Sequence, residues 1–149
     1  MTYQIYIVQA IAILFAVALA KHDAPAIIQF EKLEKDNLLM ARFHRYNFWA
    51  KTLFCVLAAL IFLPKDIMTT KLPDFLNMFF SGLLSGLWIY LLFDPCLNKN
   101  RPGRDWDYIG SNDADGRRWI KWFGENAGEK KAVILSVLVI AVNILFIFL

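Results

Sequence analysis

The residues best suited to chemistry in this 149-residue chain are histidines and aspartates in or beside its two basic loops. Imidazole and carboxylate groups serve as metal ligands and as general acids or bases. Their spacing matches no diagnostic motif such as HExxH, so we predict no metal site and no cofactor. Helix capping, loop ion pairs and headgroup contacts remain the alternative roles. The catalytic candidates are His22, Asp23, His44, Asp94, Asp105 and Asp107.

A cluster of basic residues follows the third apolar segment. Clusters of this kind beside a membrane span attract anionic lipid headgroups, with about 1 kcal/mol for each residue. No recognised nucleic-acid-binding fold or long basic stripe accompanies the charge, so we expect no nucleic-acid partner. The predicted headgroup-binding residues are Arg101, Arg104, Arg117, Arg118 and Lys121.

Small residues recur at helical spacing in the third apolar segment. Such residues allow two helix backbones to approach closely in a membrane. The first apolar segment offers a matching face in Ala12, Ala16 and Ala20. Packing within the chain and contact with a second copy both remain open. The predicted packing residues are Ser81, Gly82, Ser85 and Gly86.

Four long apolar segments must position these side chains, and they dominate a composition that is 58% hydrophobic. Crossing the hydrocarbon core of a bilayer takes about 20 helical residues. Lipid cannot satisfy backbone hydrogen bonds, so each span should be a helix. We predict an all-α, integral membrane four-helix bundle that forms a single domain over residues 1–149. Its spans cover about 3–20, 38–63, 75–96 and 130–149.

The loops at about residues 21–37 and 97–129 hold most of the Lys and Arg residues, whereas the loop between spans two and three has only Lys65 and Lys71. Basic loops remain on the cytoplasmic side of a membrane. We therefore predict that both termini lie outside the cytoplasm.

Each cytoplasmic loop is expected to contain a short interfacial helix. Asp23 and Pro25 suggest the start of a new helix after span one, and we place a break at residues 35–37. The piece at residues 25–35 would lie along the membrane surface. A second helix should begin after Asn112 or Asp113 and end at Gly124.

Two of the polar residues inside the spans lead to predictions of their own. Asn143 predicts a hydrogen bond between helices. For Lys51 we expect the long side chain to extend its ammonium group to the interface. The alternative is a functional charge inside the membrane, with Asp94 as the nearest opposite charge that the sequence suggests.

The stretch from Phe93-Asp94-Pro95 through Arg101-Pro-Gly to Trp106-Asp-Tyr108-Ile-Gly110-Ser111 and Asp115 resembles a pattern in uncharacterised small multi-span membrane proteins of bacteria and their phages. This resemblance implies a bacterial or phage source, with the protein in a bacterial inner membrane. It implies no catalytic residue.

Three functions follow as hypotheses. The first is a non-enzymatic component that assembles with itself or another membrane protein, with a basic aromatic rim on membrane lipids. The second is an enzyme or binder that acts on a phospholipid or polyprenyl-phosphate headgroup through the His and Asp candidates. The third is a holin-like pore former.

Overall fold

The computed structural model describes residues 2–33, 37–61, 72–109 and 114–147. Within these ranges every regular element is helical, which confirms the predicted all-α class. A short 3₁₀ turn, Gly124–Asn126, joins the last two helices. The helices are α1 (Thr2–Leu33), α2 (Asn37–Leu60), α3 (Leu72–Lys99), α4 (Ala114–Phe123) and α5 (Ala127–Ile147).

Two helices in the described ranges are long and apolar enough to cross a membrane. They are Gln4–Gln29 within α1 and Phe75–Lys99 within α3. The helix α2 carries basic residues in its first half, and α5 opens with the charged run Glu129-Lys130-Lys131 before its apolar part. Because of these charges, α2 is less apolar over its length than the two candidate spans, and α5 is apolar only after its charged start.

The helix α3 lies in the centre and packs against α1, α2 and α5. At one end, Ile5 of α1 shares an apolar cluster with Leu84 of α3, and at the other Ala24 of α1 clusters with Leu97 of α3. Residue numbers therefore rise in the same direction along both helices. It follows that α1 and α3 are parallel.

The helices α2 and α5 run the opposite way. Ala58 near the end of α2 lies in the cluster of Leu84, and so does Val142 near the end of α5. At the other end of the molecule, Lys131 at the start of α5 bonds to Asp94 of α3. Successive long helices thus alternate in direction, and α1 and α3 finish at the same end of the molecule.

The predicted helix break at Asp23 and Pro25 is wrong, because α1 continues without interruption to Leu33. Proline at this position removes a single helical hydrogen bond, the one to the Lys21 carbonyl. Ala24 and Ile27 are buried against the end of α3, and this packing keeps the chain helical. Residues 25–33 therefore extend α1 and are not a separate interfacial helix. Residues 35 and 36 of the predicted break at 35–37 lie outside the described residues, and residue 37 is the first of α2.

The predicted helix in the third loop is confirmed. It begins at Ala114 and ends at Phe123, and the next residue, Gly124, has a φ of +63°. Glycine adopts this left-handed conformation without steric cost and so ends the helix. Asp115 in the first turn and Lys121 in the last complement the helix dipole.

The small residues of α3 pack against α2 of the same chain. A Cβ atom built on Gly82 would lie 3.2 Å from Ala59 Cβ and 3.3 Å from the Cys55 carbonyl oxygen. The Ser81 hydroxyl donates a hydrogen bond of 3.0 Å to the Ala58 carbonyl oxygen. The alanines of α1 that the sequence offered as a matching face are also fully buried, namely Ala12, Ala16 and Ala20.

A polar cluster joins three helices in the apolar interior, which confirms the interhelical bond predicted for Asn143. Gln9 of α1 donates to Asn143 Oδ1 of α5 at 3.0 Å. Trp88 of α3 donates its indole N–H to Gln9 Oε1 at 2.8 Å. Because an unpaired amide in an apolar interior is costly, these bonds fix how α1, α3 and α5 face one another.

Candidate functional site

The polar side chains that sequence analysis singled out gather at one end of the helices, which we call the rim. Phe93 of α3 packs against Ala20 and Ala24 of α1, and Asp94 follows it on the side of α5. The rim therefore has two polar clusters, one around Asp23 between α1 and α2 and one around Lys131 between α3 and α5. The rim comprises Asp23 of α1, Asp94 and Asn98 of α3, Lys131 of α5, and residues 100–109 of the following loop.

On the first side of α3, a carboxylate is buried between α1 and α2. Asp23 is 1% exposed, and its Oδ2 accepts a hydrogen bond from the side-chain amide of Asn47. The ring Nδ1 of His22, an exposed residue, lies 3.0 Å from the other carboxylate oxygen. The arrangement ties α1 to α2, which otherwise share little contact surface.

On the second side, one ammonium group bridges two carboxylates. Lys131 Nζ lies 2.7 Å from Asp94 Oδ2 of α3 and 2.9 Å from Asp115 Oδ2 of α4. The Lys131 side chain is only 8% exposed, whereas both carboxylates reach solvent. A buried cation is costly unless it is paired, and here two partners share it. The bridge attaches α4 to α3 and α5.

The loop after α3 is hydrogen-bonded to a buried side-chain amide of that helix. Asn98 is 2% exposed, and its Nδ2 donates to the carbonyl oxygens of Trp106 at 3.2 Å and Tyr108 at 2.7 Å. From the side, Gly128 of α5 touches the Asp107 backbone so closely that an added Cβ would lie 1.6 Å from the Asp107 oxygen. The absence of a side chain at Gly128 therefore lets the loop rest on α5.

Two of the predicted headgroup-binding arginines meet at one aromatic ring. The Arg104 guanidinium lies 4.1 Å from the centre of the Tyr108 ring, and that of Arg101 lies 5.6 Å from the same centre. Arg101 also donates a 3.4 Å hydrogen bond to Asn98 Oδ1. Tyr108 therefore holds two positive charges on the surface of the loop, where cation–π attraction positions them.

The helix α4 presents an aromatic surface. Trp119 stacks on Phe123 with ring centres 5.5 Å apart and meets Trp122 edge-on at 6.1 Å. Trp122 is 66% exposed and Ile120 is also exposed, although both are large apolar side chains. The other predicted headgroup-binding residues lie on the same helix and are exposed: Arg117, Arg118 and Lys121.

A cavity of about 20 Å³ lies where the loop, α3 and α5 meet. Its walls include Tyr90, Asp94, Asp107 and Lys131. This volume suits a single water molecule and is too small for a substrate.

The structure separates the catalytic candidates. His22 and Asp23 are neighbours on one side of α3, Asp94 lies on the other side, and Asp105 and Asp107 are in the loop. The side chain of His44 lies outside the described residues. Among the residues that are described, no three His, Cys, Asp or Glu side chains lie close enough to share a metal ion.

Lys51 directs its ammonium group onto the aromatic residues of α3. Its Nζ lies 3.2 Å from the centre of the Phe93 ring and 5.8 Å from that of Tyr90. Asp94 has a partner that the sequence did not suggest, namely Lys131.

Four residues that organise the rim were not among the predicted site residues: Asn47, Asn98, Gly128 and Lys131. Lys131 gave a signal, because a charge directly before an apolar run needs a partner or access to water. The two asparagines and the glycine gave none, since their roles depend on contacts with distant parts of the chain.

The chain matches no protein-family model, no curated protein and no solved structure. The proposed function therefore rests on its own side chains and their geometry.

Proposed function

We propose that the chain is a small, non-enzymatic integral membrane protein, a four-span all-α bundle whose cytoplasmic rim binds anionic lipid headgroups and which serves as an assembly component of a membrane complex. The observation that carries this proposal is α4, whose exposed aromatic side chains lie beside basic ones. A helix of this composition lies in the interface of a membrane. The Asp115–Lys131–Asp94 bridge fixes it at the end of the long helices.

The direction of the helices supports four crossings. The two helices that are long and apolar enough to cross a membrane, α1 and α3, are parallel. If both cross in the same direction, the chain must return between them, and α2 runs antiparallel to both. The helix α5 returns in the same way after α3.

The outward faces of α2 and α5 support the same conclusion. Both helices expose large apolar side chains at intervals of three or four residues, as a surface facing lipid requires. On α2 they include Trp49, Leu53, Val56, Leu57 and Leu60, and on α5 Val133, Val137, Ile140 and Ile144. These same faces are available to a second copy of the chain or to another membrane protein.

The charges of the rim support a non-enzymatic role. Asp23 bonds to Asn47, and Asp94 shares Lys131 with Asp115, so these carboxylates bond between helices. We assign them to holding the helices together. We further propose, from the basic loops, that the rim faces the cytoplasm and both termini lie outside. The proposed bacterial inner membrane follows from the resemblance to small multi-span proteins of bacteria and their phages.

Lipid contact by α4 is tested with brominated lipids, which quench nearby tryptophan fluorescence. The signal of Trp122 is isolated as the difference between the wild-type protein and Trp122→Phe. In reconstituted bilayers we expect quenching by lipids brominated near the headgroup, and stronger quenching by phosphatidylglycerol than by phosphatidylcholine at equal mole fraction. The preference follows from the attraction between basic residues and anionic lipids.

The matched variants are Arg118→Gln/Lys121→Gln on α4 and Lys99→Gln/Lys130→Gln at exposed positions outside α4, each with two charges removed. The first pair should abolish the phosphatidylglycerol preference and the second should retain it. A wild-type Trp122 signal that brominated lipid leaves unchanged, or quenches equally in both lipids, would refute the proposal.

A further inference from the structure

A groove of about 480 Å³ runs along α1 beside the end of α3, away from α4 and its basic residues. Four of its lining residues lie on one face of α1, at positions 21, 24, 25 and 28. Its volume exceeds that of the cavity beside Lys131 many times over. The lining residues are Lys21, Ala24, Pro25, Ile28, Gln29 and Asn100.

Among its described lining residues, the groove has one cation and two uncharged polar side chains. Lys21 supplies the positive charge, and Gln29 and Asn100 supply amides. Asn100 donates its Nδ2 to the Cys96 carbonyl oxygen at 2.6 Å, which leaves its own oxygen as an acceptor. Because Pro25 has no N–H, the Lys21 carbonyl lacks its usual helical partner and is a further acceptor.

The position of the groove along the helices matches the headgroup layer. Lys21 directly follows the apolar run of the first span, and Asn100 directly follows the last residue of α3. Ala24, Pro25 and Ile28 add an apolar wall where a lipid would pass from its headgroup to its chains.

We propose that this groove binds the headgroup of a phospholipid whose single phosphodiester carries hydroxyl groups, of the phosphoglycerol type. One lysine matches the one negative charge of a phosphodiester. Hydroxyl groups both donate and accept, and so pair with amides and a carbonyl. None of the described residues that line the groove is an acid, so an ethanolamine or choline headgroup would place its cation near Lys21 without a compensating charge from them. This inference rests on the proposed crossing of the membrane by α1 and α3, and not on lipid binding by α4.

The test measures binding of phosphatidylglycerol and phosphatidylcholine to the purified full-length protein in detergent, by native mass spectrometry with thermal unfolding alongside. Wild-type protein should retain phosphatidylglycerol selectively and unfold at a higher temperature with it. Lys21→Met should weaken this binding roughly tenfold, as the loss of one charge-assisted hydrogen bond does. Lys21→Arg should restore it, and the matched control Lys99→Met should bind like wild type.

Two further arms separate the possible outcomes. The soluble headgroup glycerophosphoglycerol should bind far more weakly than the lipid; if it binds as well, the ligand is a soluble phosphodiester and the lipid assignment is wrong. Arg118→Gln/Lys121→Gln should leave Lys21-dependent binding intact. If that variant loses the selectivity while Lys21→Met retains it, the groove proposal fails and the proposed function of α4 stands.

Discussion

At the scale of single residues, Lys131 has the largest structural role at the rim, because its ammonium group is shared by carboxylates from two other helices. Replacement by methionine keeps the length of the side chain and removes the charge. Asp94 and Asp115 would then repel each other without a cation between them. We expect Lys131→Met to lower the free energy of unfolding by about 2 kcal/mol, the contribution of a hydrogen bond to a charged group. Thermal or denaturant unfolding in detergent measures it.

The neighbouring lysine provides the control. Lys130 is exposed, so Lys130→Met should change stability by less than about 0.5 kcal/mol. Adding Asp94→Asn to Lys131→Met should recover part of the loss, because the repulsion disappears. Equal stability of Lys131→Met and Lys130→Met would contradict a structural role for the bridge.

Sequence analysis identified Asp23 and Asp94 as candidates but not the residues that hold them. Lys131, the partner of Asp94, is 37 residues away and also binds Asp115, which is 16 residues away and was not a candidate. Asn98 was not among the predicted site residues, and asparagine is also a common turn residue. An asparagine in a turn and an asparagine whose buried amide binds two loop carbonyls look the same in the sequence. Only the tertiary contacts distinguish the two roles.

At the scale of elements, the contact between α2 and α3 depends on Gly82. The space above this glycine is filled by Ala59 and the Cys55 carbonyl, at 3.2 and 3.3 Å from an added Cβ. Gly82→Val would therefore push α2 away from α3, at a cost of about 1–3 kcal/mol. Thermal unfolding of Gly82→Ala and Gly82→Val in detergent should show the larger loss for valine.

Gly86 is the matched control, because its added Cβ would meet only Cys55 Sγ at the ordinary contact distance of 3.5 Å. Gly86→Ala should be neutral or stabilising, since alanine favours a helix by about 1 kcal/mol over glycine. If Gly82→Val were as stable as Gly86→Ala, the two helices would not pack through this face.

The elements differ in how well local sequence determines them. The end of α4 follows from Gly124, whose left-handed backbone is a local property. The helix start predicted at Pro25 was wrong. Proline suits the first turn of a helix, but it is also tolerated inside a helix when neighbouring side chains are buried. Ala24 and Ile27 are buried against residues about 70 positions away, and no local pattern reports this contact.

At the scale of the whole molecule, the alternating direction of the helices predicts the membrane topology. With α1 and α3 parallel and α2 and α5 antiparallel to them, the start of α1, the end of α2 and the end of α5 lie at one end of the molecule, and α4 lies at the other. From the basic loops we propose that the end with α4 faces the cytoplasm. Single cysteines in a Cys55→Ala/Cys96→Ala background test this with a membrane-impermeant maleimide on intact bacterial cells. A cysteine added at either terminus, or Lys71→Cys, should react directly, whereas Arg118→Cys should react only after the membrane is permeabilised. If Arg118→Cys reacted in intact cells and Lys71→Cys did not, the orientation in the membrane would be the reverse of the one proposed. Labelling of both in intact cells would mean that α3, the proposed span between them, does not cross the membrane, and the four-span arrangement would then be wrong.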